Sequence, residues 1–122
     1  MITLDGKVRA TRRIEKLIRK LKLPEVELST SYRDPSFKVG KNVIVTVKEA
    51  GILYLPCPLE MKEILLEIAP EIYYQTDHYK GWPGLLVCLD VIGDEELCLR
   101  LEDSWRRGAP KTLAAKRPLA AS

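Results

Sequence analysis

Between Val26 and Leu55 the chain packs several strand-like runs against turns too short for a crossover, and this limits the fold more than any other feature. Val26–Ser29 alternates weakly, Phe37–Val39 is short, Val43–Val47 is β-branched, and Ile52–Leu55 follows. Arg33-Asp34-Pro35-Ser36, Gly40-Lys41-Asn42 and Glu49-Ala50-Gly51 supply the turn chemistry between them. A parallel neighbour needs a crossover of about a dozen residues or more, so these strands predict an antiparallel meander.

Helical periods flank the meander. Residues 7–22 place Ala10, Ile14, Leu17, Ile18 and Leu21 on one face, and Pro24 stops that helix. Pro58 fits the first position of a second helix, Leu59–Ala69, whose stripe reads Met61, Leu65 and Ile68 and which Pro70 ends. Ile72–Gln75 and Leu85–Val91 read as strands around a polar, aromatic loop at Thr76–Gly84. Gly93-Asp94 begins a third helix with Leu97, Cys98, Leu101 and Trp105 inward and Gly108 at its C′ position. Pro110 opens one more short helix through Lys116, and Pro118 stops it. The order is α-β-β-β-β-α-β-β-α(-α), or α-β-β-β-α-β-β-α without the weak first strand. It predicts an α+β, two-layer fold, an antiparallel sheet with helices on one face. A single domain is expected over 1–118, with a frayed tail at 119–122.

Charge is segregated along the 122 residues. Residues 1–23 hold eight basic side chains and two acidic ones, 106–122 hold five basic and none acidic, and the middle holds seven basic against fifteen acidic. On the first helix Arg9, Arg12, Arg13, Lys16, Arg19 and Lys20 fall opposite the apolar stripe, with Glu15 beside them. Three readings fit: contact with nucleic acid or another polyanion, intramolecular pairing with the acidic middle, and a solvated face that serves solubility alone. The loop Thr76-Asp77-His78-Tyr79-Lys80-Gly81-Trp82-Pro83-Gly84 holds the single histidine and one of two tryptophans, with Lys80 between aromatics. That mixture suits stacking on bases and gripping phosphate, or an ordered loop whose Trp82 caps the sheet.

Several chemistries lack their parts. One histidine and three scattered cysteines predict no metal site and no cofactor. The seven glycines form no phosphate-cradling motif. No G-x-S-x-G elbow accompanies His78. Glu95/Glu96 and Glu102/Asp103 read as solvated helix surface rather than acid–base pairs. No catalytic motif is present, so no enzyme is expected. Cys57, Cys88 and Cys98 read as reduced core cysteines of a cytoplasmic protein, the alternative being a catalytic thiol near His78. No apolar run matches a membrane span or a signal core.

The residues also carry a resemblance. Leu21-Lys22-Leu23-Pro24-Glu25-Val26-Glu27, Ser29-Thr30-Ser31-Tyr32 and Pro35-Ser36-Phe37-Lys38-Val39 resemble the opening of the MmcQ/YjbR family. So do Thr76–Pro83 followed by Leu85–Leu89, then Glu96-Leu97, Ser104-Trp105-Arg106 and Ala109-Pro110-Lys111. The sequence departs from the pattern at Leu55-Pro56-Cys57-Pro58-Leu59 and around Lys41–Val47. The resemblance implies a compact α+β fold, similar in outline to frataxin-like and secretion-chaperone-like folds. Members are often labelled DNA-binding and have no agreed catalytic residues.

Three functions follow as expectations. The first is non-specific binding of DNA or another polyanion, as a monomer or homodimer. Its contacts would come from Arg9, Arg12, Arg13, Lys16, Arg19, Lys20, Lys38, Lys41, His78, Tyr79, Lys80, Trp82, Arg106 and Lys111. The second is a chaperone-like or dimerising interaction module that buries Trp82 or Trp105. The third is a small-molecule-binding domain or an enzyme of unrecognised type, using His78 with Asp77 or Tyr79, which requires a pocket beside the loop.

Overall fold

The computed structural model describes residues 2–30 and 34–117, with side chains described from Gly6 onward. The expectations for Ser31, Tyr32, Arg33, Pro118 and the tail at 119–122 lie outside these residues. The order is α1 (Ile2–Leu21), β1 (Val26–Ser29), β2 (Ser36–Val39), β3 (Asn42–Glu49), β4 (Ile52–Pro56) and α2 (Leu59–Ile68). Then come β5 (Tyr73–Tyr74), a 3-10 turn at Asp77–Tyr79, β6 (Gly84–Cys88), α3 (Asp94–Gly108) and α4 (Lys111–Ala115). The fold is α+β, as the sequence predicts.

All pairings are antiparallel in a six-stranded sheet ordered β1-β2-β3-β4-β6-β5. Paired residues share a face. Val47, Leu53, Val87 and Tyr73 form one row, all buried in the core. Ser36, Thr46, Tyr54, Leu86 and Tyr74 form a row on the opposite, outer face. The core joins the inner face to Ala10, Ile14, Leu17 and Ile18 of α1, Leu65 of α2, and Leu97, Leu101 and Trp105 of α3. A bulge at Phe37/Lys38 turns both Ile44 and Val45 inward, and Ser104 Oγ donates to the Ile44 carbonyl at 2.7 Å.

Several details differ from the sequence reading, beginning with the strand expected over Ile72–Gln75, which is only Tyr73–Tyr74, and with Gly108, which is the last residue of α3 and not its C′ residue. The first helix starts at Ile2, not residue 7, and runs through Gly6. A Cβ at Gly6 would stand 2.8 Å from Ala50 Cβ, so this poor helix former sits where α1 crosses the β3–β4 turn. The strand expected over Leu85–Val91 ends at Cys88, because Val91 and Ile92 N–H both turn back to the Cys88 carbonyl. On α2, Ile68 is exposed and Lys62 is buried in its stead. Glu102, read as solvated surface, is buried because Arg106 and Arg117 close over it.

Candidate nucleic-acid interface

The helical period that buries Ile14 and Leu17 leaves Arg9, Arg12, Lys16, Arg19 and Lys20 exposed on the outward side of α1. Arg19 meets Glu15 at 3.3 Å. Arg9, Arg12, Lys16 and Lys20 form no ion pair among the described residues. From Arg9 to Lys20 the stripe runs about 16 Å at the helical rise. Arg13 belongs to the packing instead. It donates to the Leu89 and Ile92 carbonyls at 2.8 Å each and to Asp94 Oδ1 at 2.9 Å, tying α1 to the β6–α3 connection.

The carboxyl-terminal basic residues are largely paired. Arg106 and Arg117 converge on Glu102, at 2.7 and 2.9 Å, and Arg107 meets Asp103. The Arg117 hydrogen bond, aided by Arg106, holds the Glu102 carboxyl below the usual carboxylate range against the opposing effect of burial. Arg117 also donates to the Leu21 and Lys22 carbonyls at the end of α1, and its guanidinium lies 5.8 Å from the Trp105 ring centroid. Lys41, in the β2–β3 turn, and Lys111, opening α4, are exposed.

The aromatic loop takes two grips on the body. From the core side, Lys62 reaches up from α2 with only 3% of its surface exposed and donates to the Tyr79 and Trp82 carbonyls, at 2.6 and 2.8 Å. No ion pair with a described carboxylate balances this ammonium, and burial pushes its pKa down. On the outer face, the Tyr79 ring stacks on Tyr54 with centroids 5.5 Å apart, and Trp82 Nε1 donates to the Tyr54 hydroxyl at 3.1 Å. Glycine at residue 84 makes room for this arrangement. A Cβ there would fall on the Tyr54 hydroxyl and lie 2.5 Å from its Cζ.

His78 meets Tyr79 edge-on at 4.9 Å, and Trp82 is 57% exposed. These residues line a cavity of about 320 Å³ with Thr46, Lys48 and Tyr54. Lys48 Nζ lies 3.1 Å from Asp34, which Lys7 also binds at 2.6 Å. Burial alone would raise the Asp34 pKa, yet the two ammoniums hold it below the usual range. The hydrogen bond that Lys48 donates to Asp34 in turn raises the Lys48 pKa. Lys80 leans toward Asp77 at 3.9 Å, outside the cavity lining. Lys38 pairs with Val43 and Glu27, one step along the strand from the inward Phe37, and so shares the outer face.

The fourteen sequence candidates therefore do not make one surface. Five line α1, Arg13 and Arg106 are engaged in packing, Lys41 and Lys111 flank the far end of α3, and the loop residues and Lys38 belong to the outer sheet face. The pocket required beside His78 is present. Sequence reasoning missed Thr46, Lys48, Tyr54 and Lys62. The alternation of Thr46, Lys48 and Tyr54 with buried Val45, Val47, Leu53 and Leu55 marks an outer face, and Lys62 stands three residues before Leu65 on the same helical side.

Among the described residues no three metal-ligating side chains cluster, and no helix is long and apolar enough to cross a membrane. Cys57 is buried, and burial pushes its thiol up, away from the thiolate a nucleophile needs.

Comparison with curated proteins and with solved structures gives no match to either. A model of the YjbR family matches residues 21–107, from the last turn of α1 to the last turn of α3 and well over half of the sequence. The chain belongs to the YjbR family.

Proposed function

We propose that this protein binds nucleic acid through the phosphate backbone, without reading sequence, along the outward side of α1. The observation that carries the reading is the stripe of five exposed basic side chains beside a single carboxylate, Glu15. One strand of B-form DNA carries a phosphate about every 3.4 Å of axis, so a stripe of about 16 Å lies beside four or five of them. The stripe precedes the family-matched residues, so the proposal concerns this chain and not the family. Three free cysteines fit a reducing compartment and support a cytoplasmic setting.

The test is anisotropy of a labelled random-sequence duplex across a salt series. Five phosphate contacts predict a slope of log affinity on log salt of about −4.5. Arg12→Glu with Lys16→Glu should flatten that slope by about 2 and weaken binding at low salt more than a hundredfold. No binding at low salt, a slope near zero, or an unaffected double variant would refute it.

A second reading, an interaction module, draws on Ile64 and Ile68, one helical turn apart and exposed on α2. Trp105 is not available to it, being wholly buried in the chain's own core. A monomeric solution mass at all concentrations would count against a dimer.

A further inference from the structure

We propose that the outer face of the sheet carries a separate site, a shallow cradle beneath the Asp77–Trp82 loop that takes one nucleotide unit, a planar base with its phosphate. It stands apart from the α1 reading, because α1 packs on the inner face and the cradle opens on the outer one.

The cradle is held from both sides of the sheet. Gly84 lets the Tyr54 ring lie across β6, Tyr54 supports Tyr79 by stacking, and its hydroxyl accepts from the Trp82 indole. Lys62 fixes the loop backbone from the opposite side through two carbonyls. A loop held on both sides binds with little ordering cost, which is how small sites retain affinity.

The groups that line the cradle suit a base and a phosphate together. Trp82, though hydrogen-bonded, leaves over half its surface open, and every nucleobase offers a flat face to such a ring. Lys48 stands in the same cavity as a point charge for phosphate, and the Thr46 hydroxyl and His78 imidazole add polar contacts. Lys7 and Lys48 share the Asp34 carboxylate, and Glu49 acts on Lys48 only as a more distant, weaker charge. A cavity of about 320 Å³ is at the small end for ligand sites and suits one base rather than an extended molecule. Aromatic platforms also take sugars, and the lysine is what favours the anionic ligand.

The two tryptophans make the test direct. Trp105 is 0% exposed and donates to the Pro24 carbonyl, so ligand quenching reports Trp82, while Trp105 emission reports an intact core. Adenosine monophosphate should quench saturably in the sub-millimolar range. Ribose 5-phosphate and adenosine should each bind at least tenfold more weakly. Lys48→Met should cost about tenfold, and Tyr79→Leu, followed by calorimetry, should abolish binding. Arg12→Glu on α1, which belongs to the duplex-binding stripe, should weaken duplex binding and leave nucleotide quenching unchanged.

Saturation by the free nucleotide assigns the site to small molecules. Saturation only by a short oligothymidylate assigns the same chemistry to an unpaired strand. Quenching by neither overturns the proposal, as does a response to ribose 5-phosphate or adenosine equal to that of the nucleotide. Loss of duplex binding in the α1 variant with nucleotide quenching retained would separate this site from the α1 reading.

Discussion

The Gly84→Ala substitution tests whether the outer-face aromatics are one assembly. The added methyl would meet Tyr54, standing 2.5 Å from Cζ and 2.6 Å from Cε1. Ordinary carbon contacts need about 3.5–4.0 Å, so the ring must move by roughly 1 Å or more. That movement breaks the Trp82–Tyr54 hydrogen bond, worth about 0.5–1.5 kcal/mol. It also disturbs the Tyr54–Tyr79 stack, worth a similar ~0.5–1.5 kcal/mol. Alanine stiffens the unfolded chain and returns about 0.4–1 kcal/mol. The expected net loss is about 1–2 kcal/mol by urea unfolding, or a fall in Tm of roughly 4–10 °C. Trp82 emission should shift to the red while Trp105 emission holds. In a Tyr54→Ala background the obstacle is gone, and Gly84→Ala should become neutral or slightly stabilising. The double-mutant cycle therefore predicts a coupling of about 1–3 kcal/mol. Costs that add to within about 0.5 kcal/mol would refute the reasoning.

Two further substitutions probe the charged interior. Lys62→Met should leave global stability within about 1 kcal/mol at neutral pH, since ending the burial of an ammonium offsets two lost hydrogen bonds, while acrylamide should reach Trp82 more readily. The folded state releases the Lys62 proton below the ordinary lysine value of 10.5, so wild-type stability relative to the variant should rise with pH over the alkaline interval ending there. A flat difference would sink this. Glu102→Gln should destabilise by about 2–4 kcal/mol at neutral pH, because it leaves Arg106 and Arg117 without their shared carboxylate. The folded Glu102 pKa is lowered, so the wild-type advantage is full above 4.5 and fades as pH falls below it, measurable by unfolding across an acid series.

The architecture was legible where period and punctuation agreed. The apolar positions of α1 and α3 and the short turns of the meander predicted helices on an antiparallel sheet, and Ile14, Leu97, Leu101 and Trp105 are buried accordingly. Legibility failed where a long-range partner overrides local character. Arg13 reads as surface by its helical angle and Glu102 by its charge, but both meet partners distant in sequence, at Leu89–Asp94 and at Arg117. Lys62 is the sharpest case, since only the three-dimensional return of the loop provides its acceptors. For the site, composition singled out His78, Tyr79 and Trp82, but the floor they stand on, Thr46, Lys48 and Tyr54, comes from strands that only the sheet register brings beneath them.

The reach of Arg117 to the Leu21 and Lys22 carbonyls bears on where this domain can be cut. The family-matched stretch begins at residue 21 and stops at 107, so Arg117 and most of α1 lie on its two flanks. Those flanks hold on to the stretch between them, Arg117 by gripping the carbonyls at the end of α1, just inside it, like a clasp closed on the edge of a band. They also complete the interior, because Ala10, Ile14, Leu17 and Ile18 seal one side of the core. Trimming to 21–107 would remove that seal together with Arg117, and leave Glu102 with Arg106 as its sole guanidinium partner among the described residues. The stretch that the family match covers is therefore narrower than the packed core.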